Sequence, residues 1–129
     1  MATWNKVKEY IKANYKVSKE DAGLLSMLFT FDDGRSQVVH VVHTQTVAGL
    51  EFATISSPFA KIGEVDLAEV LRYVDGQVVG GVVASGDYLL VRHAALLDSL
   101  DADDLDVPLR LVVAGAESLE EKFVGSDRF

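Results

Sequence analysis

Apolar residues recur along the chain with two periods, one of three to four residues and one of two. Residues 3–15 follow the longer period. Trp4, Val7, Ile11 and Tyr15 fall on one side, and Tyr10 and Val17 widen it, which predicts an amphipathic helix. Thr3 stands where an N-cap hydroxyl would accept from a free amide of the first turn. Residues 18–21 are polar and read as a connector. The pattern then changes to alternation, in three successive strands. In residues 23–31, Leu25, Met27, Phe29 and Phe31 form a wholly apolar set that should face a core. Residues 36–46 place Val39 and Val41 on one face and Val38 and Val42 on the other. Residues 50–57 form the third strand, which Pro58 should end because it has no amide to give to a ladder.

The second half repeats the order on a smaller scale. Residues 66–74 predict a short helix with the stripe Leu67, Val70, Leu71 and Val74. Asp66 and Glu69 have capping-box spacing, and Asp75-Gly76 stops the helix. Residues 77–95 then read as a hairpin turned at Ser85-Gly86-Asp87. Its first strand is apolar on both faces, and Gly80-Gly81 within it predicts a bulge or a close backbone approach. From about residue 101 to 124, Leu105, Leu109, Val112, Ala116, Leu119 and Phe123 make one continuous helical stripe. Pro108 is tolerated only near a helix start, so the regular helix is expected from about Asp106, after a separate short turn. The predicted order is α-β-β-β-α-β-β-α. It implies a single α+β domain, a five-stranded, mainly antiparallel sheet packed by helices.

Charge sharpens this picture. The chain has 129 residues and a net charge of -8. Residues 1–19 hold five lysines against Glu9 alone, for +4, and the remainder holds seven basic and nineteen acidic side chains, for -12. An acidic body repels phosphate backbones, so no nucleic-acid partner is expected unless the first helix supplies the contact. There is no cysteine, no long apolar run and no leader pattern at the first residues. A cytoplasmic protein without membrane contact is the expectation.

No chemistry-bearing constellation stands out. His40 and His43 lie three apart on a strand and so point to opposite faces, and His93 lies on another strand. The cluster Asp98, Asp101, Asp103, Asp104 and Asp106 lacks the glycine and bidentate glutamate of a calcium loop. It reads instead as charge at a helix start. Neither a nucleophile elbow nor a phosphate-binding glycine loop occurs. No catalytic residue, cofactor or metal is predicted. The apolar hairpin strand and the short helix before it are the unusual features. A strand without a polar face is either buried between layers or pressed on another molecule. Val70, Val78 and Val82 mark the expected dimer or partner surface.

Several of these segments carry a likeness. Residues 55–60 (ISSPFA), Gly80-Gly81-Val82, residues 88–93 (YLLVRH) and the leucine-rich last helix ending in Leu119-Glu120 resemble the YbjN-like family, named as bacterial sensory transduction regulators. The order of elements resembles the type III secretion chaperone fold. The resemblance implies a small acidic homodimer without catalysis; chaperones of that fold hold an extended client segment on apolar patches. The expected function is a non-enzymatic protein-binding module, chaperone- or adaptor-like, with a possible protein client. The alternatives are a small-molecule-binding regulator or enzyme with a pocket between sheet and helices, and a nucleic-acid adaptor using the basic first helix.

Overall fold

A computed structural model describes residues 3–77, 80–126 and 129. The elements are α1 (Trp4–Asn14), β1 (Val17–Asp21), β2 (Leu24–Thr30), β3 (Ser36–Gln45), β4 (Glu51–Lys61), a 3-10 turn (Ile62–Glu64), α2 (Leu67–Val74), β5 (Gly81–Ser85), β6 (Tyr88–Leu96) and α3 (Ala102–Phe123). The α+β class and the antiparallel sheet are as expected, but the sheet has six strands, in the order β1-β2-β3-β4-β6-β5. All five neighbouring pairs are antiparallel.

The extra strand is β1, in the segment expected to be a polar connector. It is an edge strand, so only one side needs a ladder partner and little of it must be apolar. Val17 alone turns toward the core, opposite Met27. Glu20 turns to the same side and meets Lys8 and Lys12 of α1 at 3.6 and 3.3 Å. Alternation of burial cannot reveal such a strand.

All three helices pack on one face of the sheet. Val7 and Ile11 of α1, Val70 of α2 and Leu105, Leu109, Val112, Ala116 and Leu119 of α3 join the inward side chains of the strands in one buried cluster. Leu25, Met27, Val39, Val41, Ala53, Ile55, Leu89 and Val91 supply the sheet's share, all of them fully or almost fully buried. Thr3 caps α1 by accepting from Lys6 N. Trp4 anchors the same end, its Nε1 donating to Ala22 O at 2.8 Å.

Both prolines depart from expectation. β4 runs through Pro58 to Lys61. The ladder to β3 ends at His40↔Ser56, so beyond that point β4 is paired, among the described residues, only with β6. The carbonyl of Pro58 points to the β3 side, where Gln37 Nε2 donates to it. The missing amide therefore faces a side with no ladder, and a bulge between Pro58 and Ala60 absorbs the misfit. In the last helix, α3 starts at Ala102 and continues through Pro108 without a separate turn. Asp101 and Asp104 close a reciprocal capping box at its start. An interior proline costs about 3 kcal/mol. Burial of Leu105, Leu109 and Val112 contributes about 1.5–3 kcal/mol each, which outweighs it.

The capping box expected at α2 forms by half. Asp66 accepts from Glu69 N, while the Glu69 carboxylate turns to Arg72 at 2.6 Å. The strand expected from residue 77 begins only at Gly81; Val78 and Val79 lie outside the described residues. β5 is also no central strand, because it closes the sheet on the side opposite β1. Its turn to β6 is the two-residue loop Gly86-Asp87, with Gly86 at φ 58, the first position of a type II′ turn. The close approach expected at the glycine pair is real at Gly80. Its φ is +87, and a Cβ there would stand 2.9 Å from Val91 Cγ1 and 3.5 Å from Arg92 O. At Gly81 nothing lies within 4 Å.

The two glycines should therefore respond differently to substitution. Gly80→Ala is expected to lose about 1–3 kcal/mol of stability, from a left-handed backbone and a core clash together. Gly81→Ala is expected to change it by less than about 1 kcal/mol. Urea unfolding of both variants measures this, and equal losses would contradict the packing described.

Candidate functional site

The expected partner surface at Val70, Val78 and Val82 divides on inspection. Val70 is fully buried in the monomer, under α2, and belongs to the core. Val82 is half-buried and faces inward opposite Val91. Val78 lies outside the described residues. The stripe of α2 is nevertheless only partly covered. Leu67, Leu71 and Tyr73 are 39, 51 and 39 % exposed, and Leu111 of α3 is 43 % exposed. Sequence periodicity placed Leu67 and Leu71 in one stripe with Val70 and Val74; an eight-residue helix at the end of a sheet buries only the inner line of that stripe.

Beside α2 runs β5, whose outer edge has no strand partner among the described residues. Its residues GVVAS carry no charge and no proline. The opposite edge, β1, carries Lys19, Glu20 and Asp21. Charges on an edge strand oppose further pairing, and an uncharged edge invites it. The sheet thus has one protected and one unprotected edge. Between α2 and α3, next to that unprotected edge, lies a cleft of about 490 Å³ lined by Tyr73, Gly76, Gln77, Leu111, Gly115 and Ser118 among others. Gly115 has no side chain to obstruct Gln77, whose amide would touch a Cβ there at 3.0 Å. Gln77 Oε1 is buried without a hydrogen-bond partner among the described residues.

The face of the sheet away from the helices is open. Its half-buried apolar side chains are Leu24, Leu28, Val38, Val42, Phe52, Val83 and Leu90, none of which joins the core cluster. One row of this face is polar throughout. Lys19 pairs with Ser26, Ser26 with His40, His40 with Ser56, and Ser56 with Arg92, so the row crosses five strands. Ser26 Oγ and His40 Nδ1 are 2.8 Å apart. Burial, and then Lys19, lower the pKa of His40. Arg92 is exposed and has no ion-pair partner among the described residues. The sequence holds no local signal for this row, since its members come from five different strands.

Other polar groups serve the fold. His43 points to the helix face, as its spacing from His40 predicts, and stacks on Trp4 at 5.4 Å between ring centres. It also meets Glu51 Oε1 at 2.8 Å. Where β3 and β4 part, Arg35 Nε donates to Glu117, and Arg35 also lies 3.6 Å from the fully buried Glu120. Phe129 closes the same gap: its N–H donates to Glu120 at 2.9 Å, and its carbonyl accepts from Val38 N at 2.8 Å. Gln37 donates to Ser57 Oγ at 3.0 Å, and Ser57 donates to Val38 O at 2.6 Å. Tyr10 of α1 and its C-cap residue Tyr15 both donate to Asp106 of α3. The acid cluster expected to mark a helix start surrounds the first turns of α3, and Asp101 is its N-cap. Among the described residues, no three histidines or acids gather as metal ligands. No helix among the described residues is long and apolar enough to cross a membrane.

No protein-family model and no curated protein sequence matches the chain.

The joint between α1 and α3 should be visible in the alkaline range. Burial, and then the hydrogen bond to Asp106, raise the Tyr15 phenol to about 12 from 10.0. A group whose pKa rises on folding adds stability while the pH is below its unfolded value. That stability is lost as pH climbs through the folded value. The urea midpoint of the wild type should therefore fall between pH 10 and about 12, and fall less in Tyr15→Phe. Superimposable curves would mean that the Tyr15–Asp106 contact is absent in solution.

Proposed function

We propose that the chain is a non-enzymatic protein-binding module, adaptor- or chaperone-like, that works in the cytoplasm as a homodimer joined along β5 and α2. The observation that carries this is the contrast between the two sheet edges. β5 is uncharged and lies beside the exposed Leu67, Leu71 and Tyr73, whereas β1 is defended by three charges. Two copies meeting at β5 would pair the free backbone groups of both edges and remove the outer line of α2 from water. The likeness to YbjN-like proteins and to secretion chaperones supports the same reading. The first helix is a poor nucleic-acid contact, because its Lys8 and Lys12 already lie against Glu20 of β1.

The cleft between α2 and α3 supports a second reading, a small-molecule-binding regulator. Its wall presents an unpartnered amide oxygen, that of Gln77, among apolar groups. A thermal-shift screen with polar metabolites tests it, since a true ligand raises the melting temperature with its concentration. The effect should vanish in Gly115→Val, which fills the cleft.

Sedimentation equilibrium tests the dimer. The wild type should be dimeric at about 10 µM, and its melting temperature should rise with protein concentration. Leu71→Asp and Val83→Lys should each shift it to monomer while leaving far-UV circular dichroism unchanged. A wild type still monomeric at about 100 µM, an association weaker than roughly 5.5 kcal/mol, would refute this assembly.

A further inference from the structure

We infer that the open face of the sheet binds an acidic, amphipathic segment of a partner protein, with carboxylates on the row Lys19–Ser26–His40–Ser56–Arg92 and apolar side chains on the rows beside it. This rests on the protein-binding function proposed above and does not depend on the dimer at β5. The charge of the face selects the partner. The chain as a whole is at -8. The outward strand positions hold Lys19, Lys61 and Arg92 against Asp21 alone, three cations and one acid, for +2. The rest of the chain is therefore at -10. An otherwise acidic protein leaves Asp21, paired with Lys19, as the one acid at the outward strand positions, and that face is the one left without a helix.

The arrangement within the face gives the segment its character. The polar row has Arg92 at one end and, about 19 Å away at a strand spacing of roughly 4.8 Å, Lys19, whose Nζ lies 3.8 Å from Asp21 of the same strand. Between them stands the half-buried imidazole of His40, whose Nδ1 meets Ser26 Oγ at 2.8 Å and whose Nε2 is left to face a carboxylate; the hydroxyls of Ser26 and Ser56 lie deeper, 5 and 8 % exposed. On one side of the row lie Leu24 and Val42, and on the other Leu28, Val38 and Leu90. Next to His40 a hollow of about 360 Å³ is lined by Pro58, Tyr88, Leu90 and Phe129. It offers an apolar side chain of the partner a seat beside the point where its carboxylate meets the row.

A second copy of this chain fits the face poorly. Stacking two such faces about a two-fold axis sets the cations of one row over the row of the other, which contains no acid. Like charges brought together in a desolvated contact oppose association. A nucleic-acid strand fits poorly too. Three cations set among apolar rows do not track a phosphate backbone, and the acidic body around them repels one.

Fluorescence anisotropy with three labelled probes tests the inference: a peptide of alternating Leu and Glu, its Leu/Lys counterpart, and a thymidine oligonucleotide. The Leu/Glu peptide should bind saturably and lose affinity as salt rises. Arg92→Glu should weaken it about tenfold or more, and Arg92→Lys by less than about threefold. Leu71→Asp should bind as the wild type does, so that failure of the dimer and failure of this face can be told apart. Absence of saturation, equal affinity for the Leu/Lys peptide, or unchanged affinity in Arg92→Glu would overturn the inference. So would tighter binding of the oligonucleotide. A change of oligomeric state in Arg92→Glu would assign the face to a second copy instead.

Discussion

The pairing of β4 with β6 is the contact on which the remainder rests. β1 to β4 follow one another as a meander, each strand beside the next in sequence, and β5 and β6 form a hairpin. Both units can form locally. The ladder from Phe52↔Leu96 to Lys61↔Tyr88 is what turns them into one sheet. It brings Ile55 and Val91 to the same side, where α3 covers both units at once. It also fixes the register that aligns Ser56 with Arg92, without which the polar row would stop at β4. A slip of one residue there would reverse inward and outward side chains across the whole hairpin.

This dependence explains the irregularities near Pro58. β4 serves β3 along its first half and β6 along its whole length, and its second half diverges from β3. Among the described residues the gap is closed by side chains and by the backbone of Phe129. Gln37 and Ser57 bridge its rim, Arg35 balances Glu117 and Glu120 below it, and Phe129 fills the remainder. Buried charges are tolerated because they are paired there. The result is a sheet whose two faces differ in kind. One is covered by three helices, and the other retains apolar rows around a strip of hydroxyls, imidazole and cations.

Much of the fold was legible in the sequence, because burial leaves periodic marks. Leu25 and Met27, Val39 and Val41, and the long stripe of α3 were placed correctly by spacing alone. Thr3, Asp66 and the Gly86 turn were legible because caps and tight turns demand particular residues. What escaped had no periodic mark. β1 is an edge strand of polar residues, Pro58 is excused by the absence of a neighbour, and Pro108 is carried by burial on either side of it. The apolar stripe of α2 was legible but not its division: Val70 proved internal, while Leu67 and Leu71 beside it are exposed. The polar row was invisible, since it exists only in the register between strands.

The charges on β1 have a consequence for how far this sheet can extend. Edge pairing is additive in principle, and a sheet with two receptive edges grows into a ribbon without limit. Here Lys19, Glu20 and Asp21 make one edge unreceptive. Any strand pairing at β5 can therefore be continued only by another β5, and it ends with a defended β1 at each outer margin. The molecule carries its own stop signal against fibre growth, in a segment that sequence periodicity passes over as mere connection.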